Sequence, residues 1–334
     1  MDFLGSLLTI FFLALLVILI ISPFESLQWW AGWVAETNAD TPDQAASPPA
    51  DLGTQPDQYV IFLPGVGAMG TDVDPWEQSL VDLLHSGLPS GVILAGLFPF
   101  TVREDTLTEH RRTAWFWRWL AGVRERRPSL VARLIDWRNL TQVFVSMDPR
   151  YGPIYNKGVE EKLAGVLNEQ GYAPGAGVPI TLIGYSGGAQ IALGASLYLT
   201  HDFRTRVTVI SLGGVLGDDP ALATVEHLHH LWGSKDLESR LATMVVPARW
   251  PISKKSRWNQ AIAARRLSQQ CLGEMVHTGP KGYLDKKTIA PDGRSYLEIT
   301  AAAMLDIVNP ARARLPETSP TPVADRQASA STSV

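Results

Sequence analysis

Residues 179–199 read PITLIGYSGGAQIALGASLYL, and the fold is decided there. Ile180 to Ile183 is a short apolar run, the pattern of a strand buried on both faces. From Gly187 to Leu199 small residues recur on the packing face of a helix. Between the two lies Gly184-Tyr185-Ser186-Gly187-Gly188, which fits G-x-S-x-G and sets a serine on a very tight strand-to-helix turn. Glycine is needed two positions either side because a side chain there would strike neighbouring backbone. A phosphate-binding G-x-G-x-x-G reading of this turn fails, since Ser186 occupies the middle glycine position.

Outward from this turn, strand-like and helix-like segments alternate, the pattern of a mostly parallel sheet covered by helices on both faces. Strands are predicted at Tyr59–Leu63, Val92–Phe98, Thr141–Ser146, Ile180–Ile183, Val207–Leu212 and His227–Trp232. Helices are predicted at Pro75–His85, at Lys157–Glu169 (stopped by Gly171), at Gly187–Leu199 and at Ser295–Val308. The turn after the first strand, Gly65-Val66-Gly67-Ala68-Met69-Gly70, matches G-x-G-x-x-G. No acidic residue ends a following strand about 20 residues on, as a dinucleotide site requires.

In this context the sequence resembles the α/β-hydrolase superfamily, over roughly Tyr59 to Val308. The resemblance implies an α/β-hydrolase fold and the chain order serine, acid, histidine. A serine hydroxyl is a poor nucleophile at neutral pH and needs a base, which in turn needs an orienting carboxylate. Ser186 is then the nucleophile. Asp236, directly after the strand HLHHLW, stands in the family's usual place for the acid. Asp218 and Asp219, after the preceding strand, are the runners-up, with Glu238 behind them. His277, in Met275-Val276-His277-Thr278-Gly279-Pro280, is the only histidine after Asp236 and is the expected base. Gly187 is expected to supply one backbone N–H of an oxyanion hole. Gly65 or Val66, in a loop where Pro64 replaces the histidine common in the family, supplies the other. Such a mechanism calls for no cofactor and no metal. His227 and His229 share one strand face while His230 points to the other, and no cysteine or acid stands at ligand spacing, so the three are read as strand histidines. Cys271, the single cysteine, is read as a small apolar residue on a helix rather than a nucleophile.

The remaining segments frame this core. Phe3 to Ile21, FLGSLLTIFFLALLVILII, would form a helix ~28 Å long, close to the hydrocarbon thickness of a bilayer. Trp29, Trp30 and Trp33 follow, as suits a water–lipid interface. With no basic residue before the run and no small-residue cleavage site after it, an uncleaved transmembrane helix (3–21) is expected, with the lipid bilayer as partner. No Lys or Arg precedes Arg103, so the terminal amine against Glu25, Glu36, Asp40 and Asp43 favours an inside N-terminus and an extracytoplasmic catalytic domain. Residues 36–57, rich in Pro, Ala, Asp and Thr, read as a flexible linker, and 58–308 as the α/β-hydrolase domain. The tail 311–334 lacks aromatic residues and is expected to be disordered. Within the domain, 103–139 interleaves Trp115, Trp117, Trp119 and Trp137 with arginines and reads as a helical cap over the site or a surface on lipid head groups.

With 334 residues, 46% of them hydrophobic, the chain supports one large core plus appendages. A net charge of −4 gives no reason to expect nucleic acid. Two functions compete: a hydrolase of a small-molecule acyl substrate, ester or thioester, hydrophobic or lipid-like; and a catalytically silent fold acting as a membrane-tethered binding module. Ser, Asp and His in the implied order favour the first.

Overall fold

A computed structural model of the chain describes residues 56–100 and 133–309, together with Leu13 and Trp119. Apart from those two residues and the ends of the linker and cap, the expected transmembrane helix, linker, cap and tail lie outside the described residues. Among the described residues no helix is long and apolar enough to cross a membrane.

Among the described residues six strands form one parallel sheet: β1 (Gln58–Leu63), β2 (Gly91–Leu94), β3 (Ile180–Tyr185), β4 (Val207–Leu212), β5 (His227–Trp232) and β6 (Leu267–Cys271), in the order β2-β1-β3-β4-β5-β6. The chain steps one way from β1 to β2 and the other way from β3 onward. The carboxyl ends of β1 and β3 therefore flank a topological switch point, where parallel sheets open a crevice. This architecture is consistent with an α/β-hydrolase fold.

Strand residues alternate between two cores. Tyr59, Ile61 and Leu63 of β1 join Ile180 and Leu182 of β3 on one face; Val60, Phe62 and Ile183 lie on the other. The first face is covered by helices α2 (Leu134–Met147), α3 (Gly152–Glu169) and α4 (Gly187–Phe203), through Ile135, Val143, Tyr155, Val159, Leu163 and Ile191. The second is covered by α1 (Pro75–Gly87) and α7 (Tyr296–Val308), through Leu80, Leu84, Met304 and Leu305. Two short helices, α5 (Leu237–Val245) and α6 (Arg257–Ala263), precede β6. Local signals fix the helix ends. Pro75 begins α1, where its missing N–H costs nothing. Ser295 and Glu298 make a reciprocal capping box at the start of α7, with bonds of 3.2 and 2.6 Å.

Three expectations are corrected. Thr141–Ser146 is not a strand but the second half of α2, and the expected cap boundary at Asn139 falls inside that continuous helix. This helix buries Arg138, Asn139, Gln142 and Ser146 beside Ile135 and Val143, so its inward face is not apolar and the 3.6-residue period is hidden. The run Val143-Phe144-Val145 then imitates a strand locally. Cys271 is neither buried nor helical: it is exposed at the end of edge strand β6. Finally, α3 begins at Gly152 rather than Lys157, with Pro153 in its first turn.

Candidate active site

Ser186 follows β3 and precedes α4 with φ 53° and ψ −121°, a positive φ that non-glycine residues rarely adopt. Its N–H donates to the Leu212 carbonyl of β4 at 2.9 Å, and its own carbonyl accepts from Ala189 N–H at 3.2 Å. The flanking glycines are required sterically. A Cβ on Gly184 would fall on the backbone of Ala189, and one on Gly188 on the carbonyls of Leu63 and Pro64. The turn thus packs directly against the end of β1.

His277 comes from the loop after β6 and lies 2.7 Å from Ser186 Oγ through Nε2. Its Nδ1 lies 2.9 Å from Asp236 Oδ2. A carboxylate accepting at Nδ1 requires the proton there, which leaves the Nε2 lone pair facing the serine hydroxyl. Asp236 is fully buried beyond β5. Its Oδ1 accepts from Ser239 N–H at 2.9 Å, and its Oδ2 also accepts from Tyr283 OH at 2.6 Å. Burial alone would raise the Asp236 carboxyl, but the contacts with His277, Ser239 and Tyr283 outweigh it and hold the group below its ordinary value. Asp236 stays ionised as a result. Burial and the Asp236 charge push the Tyr283 hydroxyl up, so it remains a donor.

The other candidate acids are engaged elsewhere. Asp219 accepts from Gln190 Nε2 at 2.9 Å and from Ala221 N–H at 2.8 Å; Asp218 accepts from Trp258 N–H at 3.0 Å. Glu238 is exposed, and with Asp236 and His277 it brings one ligand-type atom each within 4.8 Å. Both His277 nitrogens already face Asp236 and Ser186, so this trio reads as an acid–base pair with a charged neighbour. Of the strand histidines, His227 and His229 stack at 4.1 Å, and each lies 3.0 Å from Ser268 Oγ. His230 is buried on the opposite face, where desolvation pushes it down to about 3; it lies 3.0 Å from Ser211 Oγ and 3.4 Å from Arg249.

The loop after β1 completes the site. Ala68 N–H donates to the Gly65 carbonyl at 3.0 Å. In a trans peptide N–H and C=O point oppositely, so the Val66 N–H is directed away from that turn. The side of Val66 is close enough to Gly187 that a Cβ on Gly187 would strike its Cγ1. Gly187 N–H is at the first turn of α4, where no intrahelical acceptor exists. Gly65 N–H instead faces the Glu77 carboxyl. Of the two expected loop donors, Gly65 N–H is thus engaged by Glu77, and Val66 N–H is turned away from the Gly65–Ala68 bond.

Three residues that hold this site were not anticipated. Asn139 Nδ2, fully buried on α2, donates to the carbonyls of Val66 and Ala68, both at 2.7 Å, and so fixes the loop's peptide planes. Tyr185 donates through its hydroxyl to the His277 carbonyl at 2.7 Å and stacks on the imidazole at 5.6 Å. Tyr283 links Asp236 to the Gly233 N–H, from which it accepts at 2.8 Å. Only Tyr185 carried a sequence signal, its place inside the G-x-S-x-G motif.

Ser186 and His277 open on a cavity of about 900 Å³, also walled by the Gly65–Ala68 loop, Trp76, Leu284 and Thr288. Glu77, at the third position of α1, lines it too. Burial and the Asp74 charge push its carboxyl up to about 7, partly offset by the N–H groups of Gly65 and Asp74.

The chain matches no family model and no curated protein. Among solved structures it is similar to one described as "Putative Dienelactone Hydrolase from Klebsiella pneumoniae subsp. pneumoniae MGH 78578", with a TM-score of 0.39, 14% sequence identity and coverage of 78% of this chain and 87% of that one.

Proposed function

We propose that the chain is a serine hydrolase of the α/β-hydrolase type that cleaves an ester or thioester of a hydrophobic acid. One observation carries this reading: the line Ser186 Oγ–His277 Nε2–His277 Nδ1–Asp236 Oδ2, with steps of 2.7 and 2.9 Å, starting from a serine held at positive φ.

The chemistry follows from those atoms. Ser186 Oγ attacks the acyl carbon while His277 Nε2 takes its proton, and the Asp236 carboxylate stabilises the imidazolium that forms. Negative charge develops on the acyl oxygen between the N–H groups of Val66 and Gly187; one such donor is worth about 3 kcal/mol in the transition state. His277 then passes the proton to the leaving alcohol or thiol, leaving the acyl group on Ser186 Oγ. Water, deprotonated by the same nitrogen, releases the acid. The apolar wall, with Trp76 56% exposed beside the cavity, is the basis for a hydrophobic acyl group. Phe3–Ile21 is read as an N-terminal anchor that tethers this domain to a bilayer, on its outer side.

A fluorophosphonate probe tests the central claim. The full chain should be labelled at Ser186, and Ser186→Ala should lose both labelling and turnover while keeping its melting temperature. An unlabelled wild-type chain would instead identify a catalytically silent binding module.

A further inference from the structure

The helix that follows Asp236 presents its apolar side to solvent. Leu237, Leu241, Met244 and Val245 of α5 are 63%, 55%, 67% and 68% exposed. At this spacing Leu237, Leu241 and Val245 form one stripe along the helix. The stripe does not end with α5, because Trp250 Nε1 donates to the carbonyls of Thr243 and Met244 at 3.1 and 3.3 Å. That contact sets Trp250 and the 83% exposed Ile252 beside the helix's last turn.

The surface is built rather than frayed. Asn259 Nδ2 of α6 lies 3.2, 2.9 and 3.0 Å from the carbonyls of Ala248, Trp250 and Ser253, and Ser253 Oγ donates to Pro247 at 2.7 Å. The turn that carries Trp250 and Ile252 is therefore pinned to a helix whose own Trp258 is buried in the core. A monomeric domain gains nothing from holding large apolar side chains in water at fixed positions; contiguous exposed apolar patches mark contact sites.

Charge identifies the occupant. Residues 237–266 contain seven Lys or Arg and one acid, Glu238, in a chain whose net charge is −4; Arg249 is buried against Trp258 and Arg257 pairs with Asp218, which leaves five of the seven for the surface. Arg240 on α5, and Lys254 and Lys255 directly after Ile252, are exposed. Apolar side chains including a tryptophan, rimmed by cations, match the boundary of an anionic bilayer, where head groups meet the rim and acyl chains meet the centre. A protein partner of ordinary composition accounts for the apolar residues but not for a rim in which cations outnumber the single exposed acid, Glu238.

We propose that the surface formed by α5 and the turn to Ile252 docks on an anionic lipid surface. Since α5 starts directly after Asp236, at the carboxyl edge of the sheet, docking here holds the catalytic edge close to the membrane. The inference shares a bilayer with the proposed anchor but none of its residues.

The test uses the full chain reconstituted in vesicles, with Cys271→Ser removing the only native thiol and Val245→Cys carrying a nitroxide. In vesicles containing about one third phosphatidylglycerol, the nitroxide should be relaxed by oxygen and shielded from a water-soluble nickel chelate. In phosphatidylcholine alone the shielding should fall. Lys254→Gln with Lys255→Gln should weaken docking about 25-fold, at roughly fivefold per cation. Hydrolysis of a bilayer-dispersed ester should fall with it, while hydrolysis of a short soluble ester stays unchanged. A label open to the chelate in both lipids, on chain that still sediments with the vesicles, overturns the docking surface and leaves the anchor intact. A label immobilised in lipid-free detergent as protein concentration rises assigns the surface to a second copy and likewise overturns it. Chain that leaves the vesicles at high salt refutes the anchor, and its label read at low salt still decides the docking surface.

Discussion

Ser186 and His277 are held in opposite ways. The turn that carries Ser186 is shaped by its own neighbours: strand β3, the glycines at 184 and 188, and the first turn of α4. What closes on it from elsewhere is backbone, the carbonyls of Leu212, Leu63 and Pro64. His277 is positioned by side chains drawn from distant segments. Tyr185 holds its carbonyl from 92 residues away, Asp236 holds Nδ1 from 41 residues away, and Tyr283 holds Asp236 from 47 residues away. Backbone crowding restricts which residues are tolerated and leaves a motif in the chain. A web of long-range hydrogen bonds leaves no local motif of its own, because its members are drawn from separate segments and only Tyr185 also sits in the elbow.

The strongest test of this contrast treats the acid and base as one unit. His277→Ala should lower kcat by roughly four to six orders of magnitude, since the hydroxyl loses its only base. Adding Asp236→Ala to that variant should change little, and Asp236→Ala alone should be milder, the imidazole remaining present but poorly oriented. Single-turnover kinetics on an activated ester measures all three. Asp218→Ala and Asp219→Ala should retain acyl transfer, because those carboxylates serve Trp258 and Gln190 rather than His277. Full activity in Asp236→Ala beside loss in Asp219→Ala would break the assignment.

The same contrast explains what the sequence disclosed. The elbow, β1, β3, β4, β5 and α7 were legible because their buried faces are mostly apolar, Thr181, Ser211, His230 and Thr300 being the polar exceptions, and because glycines mark the elbow and a capping Ser295 opens α7. Strand β6 was invisible: of its residues Leu-Ser-Gln-Gln-Cys only Leu267 is buried, as an edge strand permits. Helix α2 was misread because its inward face carries Arg138, Asn139 and Gln142. These polar residues work for the site: Asn139 holds the Val66–Ala68 loop, and Arg138 bonds both the Phe100 carbonyl and Asn139 Oδ1. In the site itself, Ser186, Asp236, His277 and Gly187 were accessible through motif and chain order. Asn139 and Tyr283 were not, since each matters only through partners that folding brings near.

The loop after β1 falls between the two modes, with its own turn and two outside side chains. Glu77 is one of these, and its titration sharpens the comparison. Its folded pKa of about 7 lies above the ordinary glutamate value of 4.5. Being raised, it contributes stability that is fully present below the unfolded value and is lost as pH rises through about 7. The span of about 2.5 units corresponds to about 3 kcal/mol. His229 and His230, held below the ordinary histidine range, make stability rise with pH in wild type and variant alike. Against that shared slope, urea unfolding of the wild type should carry a Glu77 contribution that declines from pH 4.5 to 8 and levels above. Glu77→Gln, which keeps a neutral acceptor, should flatten that decline, so its advantage over wild type grows by up to about 3 kcal/mol across the interval. The same pH dependence in both would mean that Glu77 is ionised throughout, with its charge met by the Gly65 and Asp74 N–H groups.

Tyr283→Phe should give the smallest effect, and it bears directly on the long-range web. The phenol donates to Asp236 Oδ2 at 2.6 Å and accepts from Gly233 N–H at 2.8 Å, so its removal deletes two bonds at once. Asp236 keeps His277 and the Ser239 N–H, so the carboxylate remains ionised but loses one restraint on its plane. The imidazole is then aimed less well at Ser186, and kcat should fall about tenfold, equivalent to about 1.4 kcal/mol, with KM nearly unchanged. Stability should fall by about 1–3 kcal/mol, because the Gly233 N–H is left buried without an acceptor. These two losses have different origins and should separate in a second variant. Asp236→Asn with Tyr283→Phe should lose no more activity than Asp236→Asn alone, because Tyr283 reaches the reaction only through the Asp236 carboxylate. The stability loss should persist in that double variant, since the Gly233 N–H is unsatisfied whichever group stands at 236. If the activity losses simply multiply, Tyr283 acts on the site by a route other than Asp236, and the web around His277 is wider than these bonds.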